Sequence, residues 1–203
     1  MQLHTNTRNM RTQVNFLAKA RTTATFALLL SLVVSGFAQD VYKTQKASVV
    51  IKGTSTLHDW EMKSEAFSCQ SAFVLDNNKV SGVKSLSLSI PVQTLKSGKG
   101  AMDKNAYSAL KAENHKQISY TISSTKLVGD KLICTGNLTI AGVTKAMDVE
   151  ATCALNADNT IVCKTIKSFK MSEFKVEPPS FMFGSVTTGD DITLEFNLTF
   201  KKS

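Results

Sequence analysis

KLICTGNLTIAGVTKAMDVEATC, residues 131–153, reads as two strands joined by the two-residue turn Ala141-Gly142. Glycine at the second turn position suits a tight hairpin that needs positive φ there. The pairing then follows by arithmetic. Ile140 faces Val143, Leu138 faces Lys145, Gly136 faces Met147, Cys134 faces Val149 and Leu132 faces Ala151. That row is apolar or small except for Lys145. The other row pairs Thr139 with Thr144, Asn137 with Ala146, Thr135 with Asp148 and Ile133 with Glu150. One face is dry and the other wet, and a slip of one residue would invert every side chain.

Working outward, the same two-residue period recurs. Residues 41–52 carry Val49 and Ile51 on one side, with Gly53 marking a bulge or bend and residues 54–60 expected extended. Residues 65–75 place Phe67, Cys69, Ser71 and Phe73 on one face, before a turn at Asp76-Asn77-Asn78. In residues 80–92, Leu86, Leu88 and Ile90 alternate with three serines. Residues 117–126 set Ile118, Tyr120 and Ile122 against Ser119, Thr121 and Ser123, and Gly129-Asp130 turns into the hairpin. Residues 160–168 form a further strand. In the last, Ile192, Leu194, Phe196, Leu198 and Phe200 share a row. Residues 98–115 break the pattern: Met102, Ala106, Ala109 and Leu110 recur at helical spacing.

About eight strands with one dry face each, and a single short helix, specify an all-β fold. So little helix cannot cover such a sheet, so it closes on itself as a barrel or sandwich. A barrel of about eight strands either fills with its own side chains or holds one small ligand. Gly136, Cys134 and Ala151 on the inward row leave room. The loop at residues 177–184 carries Phe181, Met182 and Phe183 where a solvated loop would be polar. These side chains either plug the barrel end or line the mouth of an apolar pocket.

The first 38 residues contain Arg8, Arg11, Lys19 and Arg21, no acid, an apolar run at 24–34 and the small-residue ending Ser35-Gly36-Phe37-Ala38. This is the grammar of a secretory signal peptide cleaved after Ala38, with 39–203 as one domain. The run is shorter than the roughly 20 residues of a membrane span. The full chain carries +8. Without the four leader cations, 20 basic residues face 16 acidic ones, a net +4. The remaining lysines are scattered, which argues against nucleic-acid binding. Four cysteines, Cys69, Cys134, Cys153 and Cys163, would meet an oxidising compartment. Cys153 and Cys163 flank a turn-rich segment and are the preferred bridge; four buried free thiols are the alternative.

No catalytic constellation or cofactor motif emerges. His58 and Asp59 are neighbours on an extended segment and point to opposite faces. No G-x-S-x-G elbow occurs. His58 and His115 alone make a poor metal site. Lys145 either snorkels out of the barrel end or meets a ligand head group.

Three motifs carry a likeness: GTSTLHDW at 53–60, GNLTIAGVTKAMDVEA at 136–151 and PPSFMFGSVTTGDDITLEFNLTF at 178–200. Together they resemble the YceI-like family of exported bacterial lipid-binding proteins, over nearly all of 41–201. The segment at 96–122 matches that family in spacing. It departs where many members have Arg-Asp and His-Leu and this chain has Met102-Asp103 and Ala109-Leu110. The resemblance implies a lipocalin-like antiparallel barrel, periplasmic or secreted, enclosing a polyisoprenoid or another long amphiphile. It implies neither an enzyme nor a stable membrane insertion. The residues expected to line the pocket or its mouth are Trp60, Leu86, Leu88, Ile90, Tyr120, Gly136, Leu138, Lys145, Met147, Phe181, Met182, Phe183 and Phe196.

Overall fold

The computed structural model describes residues 41–181 and 183–203. The expected leader and Met182 lie outside the described residues. The strands are β1 (Tyr42–Ser55), β2 (Trp60–Ser64), β3 (Ser68–Asp76), β4 (Lys79–Pro91), β5 (Gln117–Val128), β6 (Lys131–Ile140), β7 (Val143–Leu155), β8 (Ile161–Lys170), β9 (Ser180–Phe181) and β10 (Val186–Lys202). Among the described residues one α-helix, α1 (Gly100–Ala109), and two short 3-10 helices, Val92–Thr94 and Met171–Phe174, complete them.

The β6–β7 hairpin has the register its apolar row demands, from Leu132 opposite Ala151 to Ile140 opposite Val143. Its turn needs positive φ at both positions, and Ala141 (48°) and Gly142 (81°) supply it. Gly142 is required twice over, because a Cβ there would stand 2.4 Å from the His115 ring. Asn77-Asn78 makes the same kind of turn between β3 and β4, with φ of 47° and 59°.

Antiparallel pairing runs β1-β3-β4-β5-β6-β7-β8-β10, and β10 pairs back onto β1. β2 and β3 share one flank of β1, β2 beside Val49–Gly53 and β3 beside Tyr42 and Lys43. The result is a closed antiparallel barrel of eight strand positions. Closure removes the exposed edge that a sheet this long would present.

One expectation fails. Residues 54–60 are not extended throughout: the chain bends at Thr56 and Leu57 and returns as β2, so that Trp60 lies opposite Gly53. The Ser55 hydroxyl drives the reversal, accepting from the backbone N–H of Leu57 (3.3 Å) and His58 (3.2 Å) and donating to the His58 carbonyl (2.7 Å). Such local side-chain bonding gives the backbone an alternative to the ladder. Trp60 then lies over Gly53, where a Cβ would come within 2.3 Å of its ring, and its indole N–H donates to the Thr54 carbonyl at 2.9 Å.

The registers also sort the barrel's two ends. One end holds the tight β3–β4, β5–β6 and β7–β8 turns. There Phe73 packs edge-on against both Tyr42 (5.3 Å between centroids) and Phe200 (5.1 Å), and all three are buried. The other end holds the β1–β2 reversal, α1, and the segment from Met171 to β10. α1 is fastened there by two polar anchors. Asp103 accepts from the Ser97 N–H (2.8 Å) and hydroxyl (2.6 Å). The Tyr107 hydroxyl lies 2.7 Å from the Leu95 carbonyl and accepts from Lys96 Nζ at 2.8 Å.

Candidate functional site

Alternation puts an apolar row inside every barrel strand, but the interior is not filled. A cavity of about 480 Å³ runs along the axis. That volume falls within the roughly 300–1,000 Å³ of ligand pockets. Its floor is the aromatic end, where Phe73, Phe200 and Leu132 border it. Its walls include Val49, Ile51, Cys69, Leu194 and Leu198. At the other end it reaches Leu57 and His58, the inner face of α1 through Met102, Ala106, Ala109 and Leu110, and Pro179, Phe181 and Val186. The helical face read from spacing is thus the roof of the cavity.

Of the sequence-derived residues, Trp60, Leu86, Leu88, Ile90, Tyr120, Leu138, Met147, Phe181 and Phe196 border the cavity. Gly136, Lys145 and Phe183 do not. Gly136 sits on the inward row, but the Tyr120 side chain already occupies the space above it: a Cβ there would stand 2.7 Å from Tyr120 Cζ. Lys145, next to the β6–β7 turn, is exposed. Phe183 sits fully exposed at the tip between β9 and β10, with φ of 55°.

Burial governs the titratable groups of the walls. It pushes the Cys69 thiol up to about 12 and raises Cys134, so both stay protonated. Burial also raises Tyr120, whose hydroxyl donates to the Cys134 carbonyl at 2.8 Å. Cys153 and Cys163, directly opposite each other on β7 and β8, are joined as a disulfide, and Cys69 and Cys134 are free. His58 has its Nδ1 2.7 Å from the Asp59 backbone carbonyl, so the Asp59 carboxylate does not orient it. Among the described residues no three His, Cys, Asp or Glu side chains gather at a metal-binding spacing.

Spacing did not disclose one feature, the seam between β7 and β8. Their pairing covers only Ala151–Leu155 with Ile161–Thr165. Towards the open end the two strands part, although each keeps its other neighbour. The 3-10 helix Met171–Phe174 covers part of this seam, with Phe174 fully buried and edge-on to Phe169 at 5.3 Å. Its polar fastening is on the β10 side, where the Asp190 carboxylate accepts from the Ser172 N–H (2.8 Å) and hydroxyl (2.5 Å). Lys167, on the inward row of β8 at the seam, borders the cavity. Counting by twos from Cys163 would have found it.

The fold has solved relatives. BcnA of Burkholderia cenocepacia superposes with a TM-score of 0.65 at 23% identity, covering 75% of this chain and 95% of its own. A polyisoprenoid-binding domain from Saccharophagus degradans, implicated in plant cell wall breakdown, gives 0.63 at 10% identity, covering 80% and 98%. The YCEI protein of Campylobacter jejuni gives 0.53 at 22% identity, covering 66% and 81%. No curated protein sequence matches. The model of the YceI-like domain matches residues 9–200. With that match spanning almost the whole chain and the barrel closed as described, the protein belongs to the YceI-like family.

Proposed function

We propose that the protein is an exported binding protein that holds one long apolar chain, a polyisoprenoid or another amphiphile, inside its barrel. It would serve as a carrier or scavenger in the periplasm or as a secreted protein. The observation that carries this reading is the 480 Å³ cavity, walled almost wholly by aliphatic and aromatic side chains. Each methylene transferred from water into it contributes about 0.8 kcal/mol. A dozen methylenes would contribute about 10 kcal/mol, of the same order as the cost of association. The similarity to a polyisoprenoid-binding domain supports the ligand class. The leader-like composition of residues 1–38 supports export. Among the described residues no helix is long and apolar enough to cross a membrane. We propose no catalytic step, because the groups bordering the cavity do not combine a nucleophile with an oriented base.

The test is organic extraction of protein purified without detergent, followed by lipid mass spectrometry. A stoichiometric prenyl or alkyl lipid is the expected result. Protein that comes out empty and takes up no polyprenyl or alkyl lipid when loaded in vitro would end this reading.

A further inference from the structure

We infer that the cavity takes an amphiphile with an anionic head group, and that Lys167 at the β7–β8 seam meets the charge. This rests on the ligand-binding reading above and names the ligand class within it.

Three observations carry the inference. First, the alternation of β8 is reversed at one place. Cys163, Thr165, Lys167 and Phe169 all border the cavity, while Ile166 points outward and is 67% exposed. A strand shaped for folding alone would put isoleucine inside and lysine outside. Local violations of pattern mark functional positions. Second, the charge around the cavity has one sign. Lys99 and Lys167 border it, and among the described residues no aspartate or glutamate does. Lys52, Lys63, Lys131 and Lys170 each have a carboxylate partner at 3.1 Å or less. Among the described residues Lys167 has none. Third, Lys167 stands where the wall parts. It pairs with Leu194 of β10, but the β7–β8 ladder has already ended at Thr165. Lys167 is half-buried there, and a lysine in such a place can lay its stem along apolar surface and keep its ammonium at the opening. Thr165, on the same row, adds a hydroxyl to the same patch. A tail running toward Phe200 would leave its head group beside this lysine. A carboxylate or a phosphate ester supplies the missing counter-charge.

The test is displacement of N-phenyl-1-naphthylamine from delipidated protein at pH 8 by three sixteen-carbon competitors: palmitate, hexadecyl phosphate and hexadecanol. At least one anion is expected to compete at about tenfold lower concentration than hexadecanol. Which anion does so separates a carboxylate ligand from a phosphate one. Lys167→Met should abolish that advantage, so that the anions compete no better than hexadecanol does in the same variant, while Lys167→Arg should keep it. Should Lys167→Met not fold, Lys167→Gln carries the same comparison. Equal competition by all three in the native protein, or an anion preference that survives in Lys167→Met, overturns the inference alone. If neither the probe nor hexadecanol binds, the ligand-binding reading falls and the inference falls with it.

Discussion

Tyr120 lies over Gly136 so closely that a Cβ on the glycine would stand 2.7 Å from Tyr120 Cζ and 2.5 Å from the Thr121 carbonyl. The Tyr120 hydroxyl reaches on to the carbonyls of Cys134 (2.8 Å) and Met147 (3.2 Å), tying β5 to β6 and β7. The glycine is a seat for the ring, and space at this point belongs to the protein rather than to a ligand. Gly136→Ala is therefore expected to lower stability by about 1–3 kcal/mol through overpacking. Tyr120→Phe is expected to cost about 1 kcal/mol. Urea denaturation checks both, and a neutral Gly136→Ala would contradict the packing described.

Ala151 offers the substitution that Gly136 does not. It borders the cavity from β7 and is half-buried. Ala151→Phe is expected to leave the fold intact and weaken binding of a long-chain probe about tenfold or more, by occupying tail space. Fluorescence titration reads the affinity and thermal melting the fold. Undiminished affinity in a folded variant would mean that tails do not pass this wall.

Trp60 is the one tryptophan of the chain and borders the cavity near its open end. Its emission is therefore a reporter that needs no label. Loading the cavity should shift the emission to the blue and reduce quenching by iodide, because water beside the ring is displaced. Identical spectra before and after loading would place the ligand elsewhere.

Cys153 and Cys163 close a short loop, ten residues apart in sequence. Chain-entropy arguments give such a bridge about 2–3 kcal/mol. The Cys153→Ala/Cys163→Ala variant should lose about that much in a denaturant titration. Native protein should show no thiol reactive to an aromatic disulfide reagent at pH 8, since Cys69 and Cys134 are buried and held protonated. Two thiols should appear on unfolding. Rapid labelling of the native chain would contradict the burial.

The Ser172–Asp190 fastening predicts a pH effect on release. The Ser172 hydroxyl and N–H hold the Asp190 carboxyl below its usual range. A group lowered in the folded state keeps its contact above its unfolded value, about pH 4, and loses it as pH falls through the lower folded value. Probe release followed by stopped flow should therefore accelerate at acid pH. Asp190→Asn should release faster at neutral pH and flatten that dependence. Equal rates in both proteins would mean that the 3-10 helix does not limit exit.

Register was the most legible property of this sequence. The dry row of residues 131–153 required the observed β6–β7 pairing, and the spacing of Met102, Ala106, Ala109 and Leu110 required the helical face that roofs the cavity. Period two says which way a side chain points. It does not say how much room lies in front of it, and so Gly136 read as space when Tyr120 fills it. Nor does it locate the end of a ladder. Lys145 and Lys167 have the same inward parity. Both lie past the end of the β7–β8 ladder, yet Lys145 is exposed beside a turn and Lys167 borders the cavity, a difference the alternation does not carry. Residues 54–60 were misread because the Ser55 hydroxyl outcompetes the ladder, an effect of one atom that no hydropathy pattern carries. Phe183 was misread because its apolar character outweighed its place at a hairpin tip in the expectation.

The Tyr42–Phe73–Phe200 stack makes the bore blind at one end. A threaded guest must back out the way it came, so loading and unloading share one doorway and compete for it. The same stopper also works as a ruler. Carbons beyond the depth it allows stay in water and gain nothing, so affinity should climb with chain length and then level off at a length set by three rings.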